Sequence, residues 1–125
     1  MEKKIIATTR APQALGPYVQ AVQVNGMLFA SGMLGLDPAT GELPEGVEAQ
    51  AHQALRNVGV VLEEAGLDYS HVVKTTVFVK NLEDFATVNG IYATYFKDNY
   101  PARSCVEVAR IPKDALVEIE IIAVL

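Results

Sequence analysis

Two runs near the C-terminus restrict this chain to a fold built on a β-sheet. Ala102-Arg103-Ser104-Cys105-Val106-Glu107-Val108 and Leu116-Val117-Glu118-Ile119-Glu120-Ile121 both alternate with period two, the signature of strands whose two faces differ. On the first, Arg103, Cys105 and Glu107 share a face, with Ser104, Val106 and Val108 behind them. On the second, Val117, Ile119 and Ile121 form an apolar face, while Glu118 and Glu120 point the other way. If the two strands lie near each other, one side of the sheet carries a guanidinium, a thiol and several carboxylates among apolar neighbours. Charge there is costly unless it is paired or used on a ligand. A planar, permanently charged fork with a carboxylate in reach suits the binding of a small carboxylic acid beside a positioned water.

The rest of the composition narrows the class. A chain of 125 residues is long enough for one core, so residues 1–125 are expected to form a single domain. With 50% hydrophobic and 20% charged residues it is globular rather than disordered. The net charge of −5 is spread along the chain with no basic block, which argues against a nucleic-acid partner. An anionic substrate would need a local cation, and Arg103 is the obvious one. The lone Cys105 cannot form an intrachain disulfide, which suits a reducing, cytoplasmic location. No signal-length apolar segment or membrane span is present, so no membrane association is expected. Neither a C-x-x-C pair nor histidines at helical spacing occur, so no metal site is expected.

Along the chain, Lys4 to Ala7 reads as a first strand, followed by a loop holding Pro12, Gly16 and Pro17. Tyr18 to Val24 and Met27 to Ser31 form a hairpin around Asn25-Gly26, the dipeptide that supplies the positive φ angles of a type I′ turn. Gly32 to Gly46 reads as a long connection. Val47, Ala51, Ala54, Leu55, Val58, Leu62 and Ala65 draw one apolar stripe, predicting a helix over 47–65 that ends at Gly66. Val72 to Lys80 is a strand. Asn81 is expected to cap a second helix with Phe85, Val88, Tyr92, Tyr95 and Phe96 as its buried face. The two alternating strands complete the order β-β-β-α-β-α-β-β. The simplest packing is α+β: one mixed sheet with both helices on a single face. The uncovered face would carry Lys74, Thr76, Phe78 and Ile122, a mixture suited to an oligomer interface.

These residues also carry a resemblance. Gly16-Pro17-Tyr18-Val19-Gln20-Ala21, Ala30-Ser31-Gly32, Asp37-Pro38 with Thr40-Gly41, and Val73-Lys74-Thr75-Thr76-Val77-Phe78-Val79 occur in order. They are followed by Asp84-Phe85-Ala86-Thr87-Val88-Asn89, by Tyr100 to Ala109, and by Glu118-Ile119-Glu120. Over essentially its whole length the chain resembles the RidA/YjgF family of reactive-intermediate (enamine/imine) deaminases. The resemblance implies a chorismate-mutase-like α+β protomer and a homotrimer with three clefts between subunits. It implies hydrolysis of 2-aminoacrylate and related 2-imino acids to 2-oxo acids and ammonia, with no cofactor or metal.

Carried over by position, the resemblance implies that Arg103 clamps the substrate carboxylate and Glu118 holds and polarises the attacking water. It places Cys105 where mainly backbone groups meet the substrate nitrogen, and Tyr18, Ser31, Gly32 and Asn89 along the rest of the cleft. Many members carry Gln where this chain has Met33, so an altered cleft wall is expected. Without the resemblance, Arg103 reads first as part of a buried ion pair with Glu107, Glu118 or Glu120, and the resemblance reverses that order. His52 reads as a solvated surface group and His71 as a turn residue. Cys105, with neither histidine near it in sequence, reads as a packed thiol rather than a nucleophile. A sensor that binds 2-oxo acids without hydrolysing imines is the alternative function. It would use Arg103 in the same way and need Glu118 far less. A ribonuclease would require a basic stripe that the sequence lacks, and a chaperone-like holdase would not depend on Arg103.

Overall fold

A computed structural model describes residues 1–125. The strands are β1 (Lys4–Ile6), β2 (Ala21–Val24), β3 (Met27–Ala30), β4 (Met33–Leu34), β5 (Val72–Val79), β6 (Ala102–Glu107) and β7 (Val117–Val124). They form one sheet in the order β1-β2-β3-β7-β5-β6, with β4 paired to β7. Only β5 and β6 run parallel. The connection between them is α2 (Phe85–Phe96), as a parallel crossover requires. With α1 (Val47–Glu64) it covers one face of the sheet, so the expected α+β architecture is present.

Local chemistry explains most elements. Asn25 and Gly26 adopt φ of 50° and 75°, which closes the β2–β3 hairpin in the sense that strand twist demands. In α1 the stripe of Ala51, Ala54, Leu55, Val58 and Leu62 is fully buried, and Gly66 ends the helix with φ of 78°. Burial of each larger aliphatic side chain in this layer contributes about 1.5–3 kcal/mol. β4 falls inside the segment expected to be a plain connection. Two residues show no alternation, and this strand is made by tertiary partners. It pairs with Glu118 and Ile119 of β7, while Asn57 of α1 donates to the Leu34 and Leu36 carbonyls at 3.0 and 2.9 Å.

Three expectations around α2 are corrected. The Asn81 side chain accepts from the Glu83 N–H at 2.9 Å, so it caps a 3₁₀ turn at Leu82–Asp84 that leads into the helix rather than the helix itself. The buried face is Val88, Ile91, Tyr92 and Phe96, whereas Phe85 is 37% exposed. His52 is not a free surface group, because its Nδ1 lies 2.9 Å from the Tyr95 hydroxyl. The two helices pack side by side, so His52, off the sheet-facing stripe of α1, meets Tyr95 of α2. His71 behaves as a turn residue, its side chain closing a capping box with Asp68.

The largest departure concerns the sheet faces. β5 lies between β6 and β7, so the two alternating strands are not neighbours. Register places Arg103 opposite Thr75 and Thr75 opposite Ile121, while Glu118 lies opposite Phe78 and Phe78 opposite Val106. Residues paired across strands share a face. Arg103, Cys105 and Glu107 are therefore on the helix side, with buried Thr75, Val77, Ile119 and Ile121. Glu118 and Glu120 are on the open side, with Lys74, Thr76, Phe78 and Ile122. The expectation of one charged face holding both Arg103 and Glu118 is overturned within a single chain. No helix is long and apolar enough to cross a membrane.

Candidate active site

Arg103 enters the helix side of the sheet from edge strand β6, beneath α2. Phe85, Asn89 and Tyr92, spaced four and three residues apart, form one stripe of that helix and make its seat. The guanidinium carbon lies 4.8 Å from the Tyr92 ring centroid and 5.4 Å from that of Phe85. Arg103 Nη1 donates to Asn89 Oδ1 at 2.6 Å. The Tyr92 hydroxyl is held in turn by the Thr75 hydroxyl at 2.8 Å, with Thr75 fully buried. None of the ion pairs in the structure involves Arg103, so the ion-pair reading with Glu107, Glu118 or Glu120 is not what forms. Glu107 is used elsewhere, its Oε1 accepting from the Leu82 N–H at 2.9 Å. Arg103 keeps a charge and free N–H donors toward a cavity of about 470 Å³ that Asn89, Tyr92, Tyr100 and Pro101 also line.

Glu118 belongs to a second cavity, of about 390 Å³, on the open face of the sheet. Tyr18, Ser31, Gly32, Leu34, Pro12 and Gln13 line it together with the carboxylate. Ser31 is pinned, its hydroxyl donating to the Val19 carbonyl at 2.6 Å and its N–H to the Gln20 carbonyl at 2.9 Å. Gly32 leaves room for the carboxylate where it stands: a Cβ there would lie 2.6 Å from Glu118 Oε2. Burial, with the neighbouring charge of Glu120 second, raises the Glu118 pKa above the usual carboxylate value. That shift brings it closer to the range in which a carboxylate serves as a general base.

The residues singled out from the sequence thus separate into two groups. Arg103 and Asn89 touch, with Cys105 next on the same strand face. Tyr18, Ser31, Gly32 and Glu118 surround the other cavity. Cys105 lines neither cavity, and its thiol pKa is raised by burial, with Arg103 acting in the opposite sense. A protonated thiol fits a packed residue. Met33 lines the Glu118 cavity but pairs with Ile119 and is 4% exposed within the apolar core, so its side chain faces the helices rather than Glu118. The expected change of cleft polarity at this position is correspondingly small. Sequence reasoning did not find the seat of Arg103. The Phe85-Asn89-Tyr92 spacing was the available signal, but Phe85 and Tyr92 were read there as core and Asn89, by resemblance, as a cleft residue. No group of three or more His, Cys, Asp or Glu residues is arranged to hold a metal ion.

Comparison with known proteins agrees with these motifs. A family model described as endoribonuclease L-PSP matches residues 8–125. The chain is 56% identical over 124 residues to the 2-iminobutanoate/2-iminopropanoate deaminase of Escherichia coli (strain K12), covering 97% of each chain. It is 53% identical over 123 residues to the protein of the same name from Mus musculus, covering 98% of this chain and 91% of that one. Among solved structures, E. coli TdcF with bound serine matches with a TM-score of 0.94 at 50% identity, covering 98% of both chains. Matched in sequence and in fold over nearly its whole length, the chain belongs to the endoribonuclease L-PSP family, the RidA/YjgF group that its motifs resemble.

Proposed function

We propose that the protein is a cytoplasmic enamine/imine deaminase that hydrolyses 2-aminoacrylate and related 2-imino acids to 2-oxo acids and ammonia. The observation that carries this reading is a guanidinium held by an amide and two aromatic faces, with no carboxylate partner of its own. Such a group is preorganised to take a carboxylate from outside, through two parallel hydrogen bonds. The relatives named for this activity, similar over nearly the full chain, support the reading.

The two half-sites are brought together by assembly. Arg103 and Glu118 lie on opposite faces of the sheet, so a substrate touching both must sit between protomers. A homotrimer packed through the open sheet faces would give three such clefts, each with Arg103 from one chain and Glu118 from the next. In the cleft, Arg103 holds the substrate carboxylate and Asn89 holds Arg103. Ionised Glu118 takes a proton from a water as the water oxygen bonds to C2 of the imine, the C2=N π pair moves to nitrogen, and nitrogen takes that proton back from Glu118. The resulting carbinolamine loses ammonia when Glu118 carries the hydroxyl proton to the amine, the C2–N bond breaks with its electron pair going to nitrogen, and the C2=O bond forms. Nothing covalent to the protein is needed. Orientation and a positioned base suffice for an imine that already reacts with water, the base contributing about 10²–10⁴-fold. A ribonuclease function has no support in the charge distribution, since the net charge is −5 and neither cavity carries a basic stripe.

The test is a coupled assay in which a serine/threonine dehydratase or an amino-acid oxidase generates the imine and semicarbazide traps what is not hydrolysed. Wild type should suppress semicarbazone formation, and Arg103→Ala and Glu118→Gln should not. A folded, oligomeric wild type that binds 2-oxo acids without suppressing the trap would sink the deaminase reading in favour of a sensor.

A further inference from the structure

The motif Gly16-Pro17-Tyr18-Val19-Gln20-Ala21 contains a residue to which the mechanism above gives no part. Gln20 is 3% exposed, yet its side-chain amide is fully engaged. Its Oε1 accepts from the Thr8 N–H at 2.7 Å. Its Nε2 donates to the Thr8 and Pro12 carbonyls at 3.0 and 2.7 Å, with a longer contact of 3.5 Å to the Ala11 carbonyl. Every partner lies in one segment, residues 8–12.

That segment has little else to hold it. Residues 7–17 pair with no strand, and their other hydrogen bonds are local, Arg10 N–H to Thr8 Oγ1 and Tyr18 N–H to the Gly16 carbonyl. Apart from Gln20, its side-chain attachments are the buried Ala11 methyl, the partly buried Pro12 and Ala14, and an exposed Arg10–Glu63 pair at 3.9 Å, a kind of contact that contributes little. The segment is also a wall between two cavities. Pro12, Gln13 and Gln20 itself line the Glu118 cavity on one side, and a third cavity of about 310 Å³ is lined by Thr8, Gln13, Ala14 and again Gln20 on the other. The Gln20 main-chain carbonyl meanwhile accepts from Ser31 N–H beside Gly32 and Glu118.

We propose that Gln20 is a positioning residue of the substrate cleft: its amide fastens the 8–14 segment as the cleft wall opposite Ser31 and Gly32. A buried primary amide suits this task because only Asn and Gln offer an acceptor and two donors in one fixed plane. Gln20 touches no reacting atom. It acts through the wall, so its loss weakens ligand binding and leaves the Arg103 and Glu118 chemistry in place. The catalytic consequence rests on the deaminase reading, whereas the consequence for binding does not.

The test compares wild type, Gln20→Met and Gln20→Glu for binding of 2-oxobutanoate by calorimetry, for KM and kcat in imine hydrolysis, and for amide exchange at Thr8. Gln20→Met removes the polar clamp at similar length. The expected result is fast exchange at Thr8, Kd and KM each raised at least about tenfold, and kcat within about threefold of wild type. Gln20→Glu is nearly isosteric and keeps the acceptor for Thr8, but while ionised it sets oxygen against carbonyl oxygens. Its KM should approach the wild-type value as pH falls from about 8 to about 6, because the protonated carboxyl regains a donor. A rise in KM that is flat with pH overturns the clamp. So does fast exchange at Thr8 with Kd unchanged, or slow exchange at Thr8 in Gln20→Met. If all three proteins bind 2-oxobutanoate in the expected order but wild type hydrolyses nothing, the deaminase reading fails and Gln20 keeps its role. If wild type hydrolyses and the variants match it, Gln20 loses its role and the deaminase reading stands.

Discussion

Replacing Gly32 with alanine probes the position of Glu118 with a single methyl group. The backbone at Gly32 lies outside the left-handed region, so alanine meets no conformational strain. The new Cβ would stand 2.6 Å from Glu118 Oε2, 2.8 Å from Cδ and 3.0 Å from Cγ. An ordinary contact begins near 3.4 Å, so the carboxylate must retreat from 2.6 to 3.4 Å, a shift of 0.8 Å. Glu118 is half-buried and its far end can swing, so the fold should survive with little loss of stability. The chemistry should not survive as well. A displacement near 1 Å in a reacting geometry costs on the order of 10²-fold in rate, equivalent to about 2.7 kcal/mol of barrier. Imine hydrolysis in the semicarbazide assay should therefore fall about 10²-fold, while 2-oxobutanoate affinity, carried by Arg103, stays within about threefold. Thermal melting and size-exclusion chromatography establish that the variant is folded and assembled. A folded Gly32→Ala protein with wild-type turnover would refute the claim that Glu118 must occupy its present place.

Three further outcomes are expected. Arg103→Ala and Glu118→Gln protomers, each inactive alone, should regain activity when unfolded together and reassembled, because a mixed trimer restores clefts that hold both wild-type groups; no recovery in mixed oligomers shown by mass spectrometry contradicts the two-chain site. Glu118→Gln should melt higher than wild type at neutral pH. A carboxyl whose folded pKa is raised is less destabilising protonated than ionised, so its favourable contribution is full below the ordinary value of 4.5 and is lost as pH rises through the folded value. The melting difference should accordingly shrink toward zero below about pH 4.5, and a difference that grows in acid would exclude this origin. Tyr92→Phe leaves the buried Thr75 hydroxyl without its partner and should cost about 1–3 kcal/mol in urea unfolding. The ring remains under Arg103, so activity should change less than about threefold. Thr75→Val in the same background should recover part of the stability, and additive losses would argue against the hydroxyl pair.

Features that depend on neighbours along the chain were legible in the sequence. Asn25-Gly26 makes its turn from its own backbone preferences. The stripe of α1 follows from a 3.6-residue period, and the last two strands each sort their residues into two faces by alternation. The same alternation singled out Arg103 and the pair Glu118 and Glu120 without separating the two, and the choice of Glu118 came from the family resemblance. β4 was not legible, because two residues carry no period and their pairing is supplied by β7 and Asn57. The role of Gln20 was hidden too, since its partners are backbone groups 8 to 12 residues away that look like any other loop.

What the sequence determined by itself is the parity of each strand: Arg103 with Cys105 and Glu107, and Glu118 with Glu120. What only the tertiary structure decided is how those parities combine. β5 inserts between β6 and β7, and its register with each turns Arg103 toward the helices and Glu118 away from them. Alternation carries no information about the register between distant strands. A shift of one residue in either pairing would reverse the result. That register is chosen by burial of Val77, Val117, Ile119 and Ile121 under the helices, a long-range packing term no local window contains. The same choice puts Arg103 and Glu118 on opposite faces of one sheet, which is why the cleft proposed for them requires a second chain.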